Sequence, residues 1–485
     1  MQANYHNLKT SVMNSFFIFT AILSILTYFV RKRTLSHAMV FIYVAAMLGL
    51  GIYLYPRVGT DLSEYFFSNY LGLIFYFILI VVSLLSAVHY VKFVADRNVK
   101  ITDVALHNAG TIFFTGAMVG VLFTSHFGTL WAFMEATTLG ASVLIYHNRN
   151  QSALEATWKY LYVCSIGIAI AFAGILFLGF AAQQIGHINF SFAAIKAEAA
   201  QLNTVWLKAC FLLILTGFSV KMGLVPLFNV DIDAKDASPS QVGASLSSVL
   251  MNAGFISIYR FYEAFSSTSL LPWMNKLLMI TGLLSLFFAA VYVLRVKNVK
   301  RMFAYSSMEH ASLVIIAFSC GGLGYFAAIL HLIMHSLVKS SLFFQVSQMH
   351  RMFRSNLDEN IGSYLKVNPL GGMVMLLGFL SIIAMPPSGM LISELYMFQA
   401  LVAKNYWWVA LIVLLLVLII IYGLAVKMLG IIFLKKSTAH IQMAGATPYE
   451  SAIQLALIII VFYIGLFRPS IIVDSINLAI QSLPV

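Results

Sequence analysis

The chain has 485 residues, of which 61% are hydrophobic and only 9% are charged. Soluble globular proteins carry about 25% charged residues, so this composition excludes a soluble enzyme, a disordered chain and a fibrous repeat. A polytopic membrane protein remains, and its net charge of +12 indicates Lys and Arg retained in cytoplasmic loops rather than binding to nucleic acid.

Long apolar segments recur along the chain and predict fourteen membrane-spanning helices. A helix needs about 20 apolar residues to cross a bilayer, whereas an open strand would leave backbone groups unpaired in lipid. The predicted spans 1 to 14 lie near residues 11–30, 38–54, 70–91, 106–125, 128–146, 157–182, 204–226, 240–262, 272–294, 303–320, 324–349, 369–398, 406–434 and 450–467. The polar stretch 183–203 is interpreted as a short amphipathic helix at the membrane surface. The predicted fold class is therefore an all-α polytopic membrane protein.

Basic residues alternate between successive loops and predict the topology. Runs such as 31–33 after span 1 and 295–301 after span 9 follow odd-numbered spans, and few basic residues follow even-numbered spans. Because cytoplasmic loops retain Lys and Arg, we expect both termini to lie outside the cytoplasm. The apolar run after Lys9 is too long for a cleaved signal peptide, so a multi-pass protein of the bacterial cytoplasmic membrane is predicted.

Four of the ionisable side chains inside predicted spans are the most informative. They are Glu135 in span 5, Lys221 in span 7, Lys339 in span 11 and Glu394 in span 12. Each costs about 2.5–3.5 kcal/mol in a membrane unless it is paired or hydrated. A buried ion pair or a side chain that snorkels to the surface is the structural alternative. Four such residues in one chain favour a path for ions or protons.

Span 11 carries a candidate proton relay. His331, His335 and Lys339 are spaced four residues apart, so they share one helix face at intervals of about 6 Å along the axis. Histidine can both take and give a proton, and a buried lysine changes its pKa when an acidic partner moves. Haem ligation by His331 or His335 is the alternative. It needs a partner histidine at the same depth, and His310 is placed near a span end.

Prolines interrupt two of the charged spans. Pro226 follows Lys221 in span 7, and Pro386 and Pro387 precede Glu394 in span 12. Proline breaks a helix, and paired broken helices mark inverted repeats in transporters, although ordinary proline kinks are the alternative. The predicted domains are residues 1–105 with helices 1–3, 106–264 as the first repeat of helices 4–8, 265–436 as the second repeat of helices 9–13, and 437–485 with helix 14.

The segment that joins spans 7 and 8 is rich in acidic residues. It contains Asp231, Asp233, Lys235 and Asp236 just before Pro239. Asp231 and Asp233 are candidates for a cytoplasmic proton-uptake site. A solvated loop is the alternative, and we favour it for Asp236.

The sequence lacks the motifs of cofactor sites. Cys164, Cys210 and Cys320 each lie in an apolar stretch without a CxxC pair, so neither an iron–sulfur cluster nor a thiolate zinc site is predicted. No P-loop is present and no GxGxxG follows a strand, which argues against nucleotide, nicotinamide and flavin sites. We expect a chain that moves charge without a cofactor or a metal ion of its own.

Five segments resemble one protein family. They are WAFMEATTLGA around Glu135, SALEATWKYL at 152–161, RMFAYSSMEHASL at 301–313, ILHLIMHSLVKSSLFF at 329–344 and PPSGMLISE at 386–394. In this order they resemble the antiporter-like, proton-translocating membrane subunits of respiratory complex I and group 4 hydrogenases. The likeness covers about residues 105–430 and is strongest to the F-type subunit of hydrogenase-4.

The resemblance implies a fold and a role for each charged residue. The family has fourteen helices, two inverted repeats and a central polar axis that moves protons. Glu135 would be the acid of the first repeat, and Lys221 the lysine that it switches. Lys339 with His331 and His335 would be the central lysine and its relay, and Glu394 the terminal acid.

The chain also departs from the family pattern. After the first broken helix the family usually reads close to PFHxWLPDA, whereas this chain reads PLFNVDIDA, with Phe228 and Val230 at the histidine and tryptophan positions. Span 8 of the family often has a lysine or histidine near the position of Ser247. A path between the repeats would therefore depend more on water and serine hydroxyls.

The sequence thus predicts a proton-translocating membrane subunit of a complex I-like NADH–quinone oxidoreductase or a group 4 hydrogenase. Its partners would be other membrane subunits and a redox peripheral arm, whose chemistry shifts the Glu135–Lys221 pair and then Lys339 and Glu394. The alternatives are a subunit of a multi-subunit Na⁺/H⁺ antiporter, an energising subunit of an inorganic-carbon uptake complex, and a structural anchor. Four buried ionisable groups disfavour the anchor.

Overall fold

The protein is built almost entirely from α-helices. A computed structural model describes residues 2–97, 99–183, 189–434 and 447–484. Its helices are α1 (Gln2–Phe29), α2 (Arg33–Leu54), α3 (Tyr70–Ala95), α4 (Ile101–Phe123), α5 (Phe127–Ile145), α6 (Gln151–Ala182), α7 (Phe192–Glu198), α8 (Thr204–Met222), α9 (Asn229–Ala237), α10 (Ser240–Ser245), α11 (Met251–Phe265), α12 (Leu271–Arg295), α13 (Val299–Ser319), α14 (Leu323–Phe353), α15 (Tyr364–Val367), α16 (Pro369–Ile382), α17 (Gly389–Ala403), α18 (Trp407–Phe433), α19 (Pro448–Phe467) and α20 (Ser470–Ile480). A short antiparallel ribbon, β1 (Asp61–Ser63) and β2 (Phe66–Phe67), lies between α2 and α3.

The predicted class of polytopic membrane protein is confirmed. Within the described residues, 12 helices are long and apolar enough to cross a membrane. Predicted span 10 is α13, which carries more polar residues, and predicted span 12 is divided between the shorter helices α16 and α17. The count of fourteen spans and the inverted repeats stay predictions.

Both predicted helix breaks are present. Helix α8 ends at Met222 and α9 begins at Asn229, on either side of Pro226. Helix α16 ends at Ile382 and α17 begins at Gly389, on either side of the two prolines. Proline lacks the backbone N–H that a continuing helix needs, so each break follows from the sequence.

The chain folds into two compact units. Unit 1 comprises residues 1–222, 252–274 and 481–484, and unit 2 comprises residues 223–251 and 275–480. The four domains predicted from the repeats stay a prediction, and their boundary at 436/437 lies outside the described residues. The predicted amphipathic stretch 183–203 contains α7, whereas residues 184–188 lie outside the described residues.

Close helix packing positions the polar residues of each unit. In unit 1, α8 packs on α6, and a Cβ atom added to Gly217 would lie 2.4 Å from the carbonyl oxygen of Gly167. Glycine at this position lets α8 approach α6 one turn before Lys221. In unit 2, α14 packs against α13, α16, α17 and α19, and the whole of its most apolar window is buried.

Candidate functional site

The polar site of unit 1 is centred on Glu135 of α5. Its carboxylate is half-buried and accepts a hydrogen bond of 2.8 Å from the Ser165 hydroxyl of α6. The Thr138 hydroxyl donates a second hydrogen bond to it, at 3.4 Å. Residues three apart lie on one face of a helix, so α5 presents Glu135 and Thr138 to the same space.

Lys221 faces the same threonine from α8. Its side chain is buried, and its ammonium donates hydrogen bonds to the Thr138 hydroxyl at 2.6 Å and to the Tyr160 hydroxyl at 3.3 Å. The ammonium also lies 5.2 Å from the centre of the Tyr160 ring. A hydroxyl group can accept and donate at once, so Thr138 links the lysine to Glu135.

This link refines the predicted Glu135–Lys221 pair. The sequence pattern indicated the two charges but not Thr138 and Tyr160, which complete the contact. Thr138 stands in the motif WAFMEATTLGA next to Thr137. The helix register distinguishes them. Both hydroxyls lie within hydrogen-bond distance of the Met134 carbonyl, Thr137 at 2.6 Å and Thr138 at 3.4 Å, but Thr138 also contacts Glu135 and Lys221.

The polar axis of unit 2 runs along α14. His331, His335 and Lys339 are all buried there, and the exposed fraction of His335 and of Lys339 is 0%. Four-residue spacing keeps them near one face, as the sequence predicts. The Lys339 ammonium donates a 3.1 Å hydrogen bond to the Phe303 carbonyl of α13.

Helix α13 adds two residues that were not predicted to belong to the relay. His310 is fully buried, and its Nδ1 lies 3.1 Å from Nε2 of His331 in a hydrogen bond. Its ring centre is 5.2 Å from that of His335. Glu309 is also buried, accepts a hydrogen bond from Ser306, and lies within electrostatic range of Lys339.

The placement of His310 near a span end was wrong. Helix α13 begins at Val299, so His310 lies more than three turns inside it. Even with the predicted start of span 10 at residue 303, His310 lies about two turns inside the span, so its depth was already visible in the predicted bounds. The signal was present in the motif RMFAYSSMEHASL, where Glu309 and His310 interrupt an apolar run.

The predicted terminal acid, Glu394, joins this cluster from α17. The neighbouring Ser393 hydroxyl lies 2.9 Å from Nδ1 of His331 in a hydrogen bond. One ligand atom from each of His310, His331 and Glu394 lies within 4.8 Å of the others. Such atoms could hold a metal ion, but the two histidines direct nitrogens at each other in a hydrogen bond, which is the geometry of proton exchange.

His335 stands between Lys339 and the other histidines. Both of its ring nitrogens are buried, and neither has a hydrogen-bond partner among the described residues. Nε2 of His310 is likewise buried without a partner in this part of the chain. Buried polar atoms of this kind are costly unless water or a mobile proton satisfies them, so the axis is suited to transient hydrogen bonds.

The acidic segment after the first break is a buried helix rather than a solvated loop. On α9, Lys235 and Asp231 form an ion pair of 2.5 Å whose side chains are 1% and 5% exposed. Asp233 binds Arg301 at 2.6 Å. The interpretation of Asp236 as part of a solvated loop was wrong, because Asp236 lies in the last turn of α9, is half-buried, and accepts a 2.9 Å hydrogen bond from Asn298. Burial raises the pKa of Asp236, although Lys300 and Arg301 oppose the shift.

Three residues of this chain differ from the family pattern. Two of them, Phe228 and Val230, are packed in the buried apolar core, and the third, Ser247, makes a hydrogen bond. Phe228 stacks on Phe288, with ring centres 5.6 Å apart, and Val230 is buried. Ser247 lies in a π-helical turn, Leu246–Leu250. Its hydroxyl is 2.6 Å from the hydroxyl of Ser307 in a hydrogen bond.

Sequence comparison identifies related membrane proteins. Residues 124–420 match the family described as NADH:quinone oxidoreductase/Mrp antiporter, transmembrane. A hydrogenase-4 component F homolog of Methylacidiphilum infernorum is 32% identical over 288 residues, 59% of this chain and 60% of that protein. The chain thus spans less than two thirds of that relative. NADH-quinone oxidoreductase subunit N of Chlorobium chlorochromatii is 29% identical over 90% of this chain and 87% of that protein.

Solved structures share the fold at low sequence identity. A chain of the archaeal membrane-bound sulfane sulfur reductase superposes with a TM-score of 0.86 at 20% identity, covering 98% of this chain and 97% of its own length. A chain of the Mrp complex from a Dietzia species gives 0.82 at 15% identity, with the same coverages. A chain of respiratory complex I from Thermus thermophilus gives 0.78 at 17% identity, with coverages of 95% and 98%. All three structures are described as complexes, the first as a respiratory membrane complex.

Proposed function

The chain belongs to the NADH:quinone oxidoreductase/Mrp antiporter transmembrane family, and we propose that it translocates protons as a membrane subunit of a complex I-like NADH–quinone oxidoreductase or a group 4 hydrogenase. One observation carries this proposal. In unit 2, buried ionisable side chains from α13, α14 and α17 form a connected cluster, with His310 and His331 in direct contact at 3.1 Å. Burying several ionisable groups inside a membrane protein costs free energy, and such clusters are typical of proton relays.

Proton transfer in unit 2 follows from the chemistry of these groups. Lys339 is the loading site, because a lysine without water gives up its proton unless a carboxylate such as Glu309 stabilises the charge. His335, His310 and His331 each take a proton on one ring nitrogen and release it from the other. Glu394 receives the proton at the end of the relay.

The site of unit 1 acts as a switch. When Glu135 is ionised, it stabilises the charge of Lys221 through the Thr138 hydroxyl, which donates to the carboxylate and accepts from the ammonium. When Glu135 is protonated or moves away, the lysine loses that support and its proton becomes easier to release. Tyr160 stabilises the ammonium form with its hydroxyl and its ring.

Partners must supply the driving reaction in this proposal. Two of the solved structures that share the fold are chains of respiratory complexes, and this supports other membrane subunits and a redox peripheral arm as partners. The chain itself would hold no cofactor. The alternating basic loops support a place in the bacterial cytoplasmic membrane with both termini outside the cytoplasm.

A cation/proton antiporter is the second candidate function. The family description includes antiporters, and the fold of a chain from an Mrp complex superposes closely. In this case Na⁺ exchanges for H⁺ and no redox arm is needed. An energising subunit for inorganic-carbon uptake shares the same proton path.

Isolation of the native complex tests the proposal. Affinity purification of this chain from its membrane should recover redox subunits, and vesicles containing the complex should take up protons, followed with a pH-sensitive dye, when the redox substrate is added. Uptake should not require Na⁺. Recovery of other antiporter subunits alone, with proton movement that depends on a Na⁺ gradient, would favour the second candidate and reject the first.

A further inference from the structure

An apolar cavity of about 320 Å³ opens in unit 2 beside the break between α16 and α17. Its walls come from Phe326 and Leu330 of α14, Ile392 of α17 and Ile472 of α20. Glu394 lies two residues beyond Ile392, and residues two apart point to different sides of a helix. The cavity is therefore separate from the proton relay, although both use α17.

One charged residue, Arg468, lines this cavity. It follows the last residue of α19, Phe467, in a left-handed conformation with φ of 45°. The side chain is exposed, and its guanidinium lies 5.8 Å from the centre of the Tyr396 ring. Among the described residues no carboxylate forms an ion pair with it. The site therefore combines an apolar interior with an arginine whose charge is not neutralised by any carboxylate in the described part of the chain.

The surface around Arg468 is strongly apolar. Leu466, Phe467 and Ile471 expose between 62% and 69% of their surface. An arginine at the end of an apolar helix is stabilised by a bound anion. Its planar guanidinium can donate two parallel N–H hydrogen bonds to a phosphate. An acyl chain is as apolar as the cavity walls, so it fills the cavity by van der Waals packing and leaves no buried polar group without a partner.

We propose that the cavity binds one acyl chain of an anionic phospholipid, whose phosphate is held by Arg468. The apolar walls select a hydrocarbon chain, and the unneutralised guanidinium selects a negative headgroup over a zwitterionic one. Bound in this way, the lipid packs between α14, α17 and α20. It thereby supports the helix that carries Glu394, but its binding does not depend on proton translocation.

Native mass spectrometry of the purified 485-residue chain tests whether the positive charge of Arg468 holds the lipid headgroup. The chain is titrated with palmitoyl-oleoyl phosphatidylglycerol and, separately, with palmitoyl-oleoyl phosphatidylcholine. Arg468→Gln should weaken retention of one phosphatidylglycerol by about tenfold, the loss expected for one charge-assisted hydrogen bond, whereas Arg468→Lys should retain most of it. Arg295→Gln, which changes an exposed arginine at the end of α12, is the control and should have no effect.

A second pair of variants tests the cavity. Ile472→Trp fills it and should reduce retention of both lipids, whereas Ile471→Trp changes the exposed neighbour on the same helix and should leave retention unchanged. Equal retention by Arg468→Gln and the unaltered chain would overturn the proposal, as would equal losses in Arg468→Gln and Arg295→Gln. A native complex that retains no phospholipid at this site, and whose assembly fails in Arg468→Gln, would place a partner subunit there instead.

Discussion

The Thr138 hydroxyl connects the two charged side chains of unit 1, Glu135 and Lys221. Thr138 accepts from Lys221 at 2.6 Å and donates to Glu135 at 3.4 Å, so valine, which has the same shape without the hydroxyl, removes the contact without changing the volume. We predict that Thr138→Val lowers proton translocation about tenfold, because one charge-assisted hydrogen bond contributes about 1.5–3 kcal/mol. Dye-monitored proton uptake in vesicles is the measurement.

Thr137 offers a matched control for this prediction. Its hydroxyl bonds the Met134 carbonyl of its own helix, so Thr137→Val should leave proton uptake unchanged. Thr138→Ser keeps the hydroxyl and should retain most of the activity. Normal uptake by Thr138→Val would show that the two charges communicate by another route.

The role of Glu394 depends on whether it titrates. As the end of the relay it must lose a proton in every cycle, so Glu394→Gln should abolish proton uptake, whereas Glu394→Asp should retain part of it, with assembly unchanged in both. A residue that only hydrogen-bonds the broken backbone would behave in the opposite way, since glutamine keeps its size and hydrogen bonding. Uptake by Glu394→Gln equal to that of the unaltered protein would remove this residue from the path.

The break between α8 and α9 is tightly packed at Gly223. Gly223 has a φ of +72°, and an added Cβ atom would lie 2.7 Å from a carboxylate oxygen of Asp231. Gly223→Ala should destabilise the protein by about 1–2 kcal/mol through its left-handed backbone alone. It should also displace Asp231 from its ion pair with Lys235. A lower midpoint in thermal unfolding is the expected result.

Gly49 is the control for the effect of a methyl group. It lies in α2 with open space around its Cβ position, so Gly49→Ala should leave the midpoint unchanged or raise it slightly, because alanine favours a helix. If both variants unfold at the midpoint of the unaltered protein, the tight contact between Gly223 and Asp231 does not contribute to stability.

The sequence predicted elements better than contacts. Apolar runs and prolines were sufficient for the membrane helices and for both breaks, since these depend on local hydrophobicity and a missing N–H. The burial of Lys235 was missed because its acidic, proline-flanked segment has the composition of a loop. Its pairing with Asp231 four residues earlier becomes visible only once α9 is known to be a helix.

At the scale of the whole molecule, the charges predicted separately fall into two sites, one in each unit. Glu135 and Lys221 lie in unit 1, whereas Lys339 and Glu394 lie in unit 2. The sequence predicted these four because a charge in an apolar span is conspicuous. Predicting that His310 and Glu309 belong to the relay would require the register of α13 against α14, and the residue pattern of a single helix does not contain that register. The fold class and the family were accessible from sequence, and the completed relay was not.

Lys339 loads the relay of unit 2 in this mechanism, so proton uptake by vesicles that contain the native complex should depend on its amine. Lys339→Met keeps the length of the side chain but removes its proton, while Lys427→Met changes a lysine of α18 that bonds backbone carbonyls of α12. We predict that Lys339→Met abolishes substrate-driven proton uptake in an assembled complex and that Lys427→Met pumps normally. Undiminished proton uptake by Lys339→Met would show that Lys339 does not load the relay.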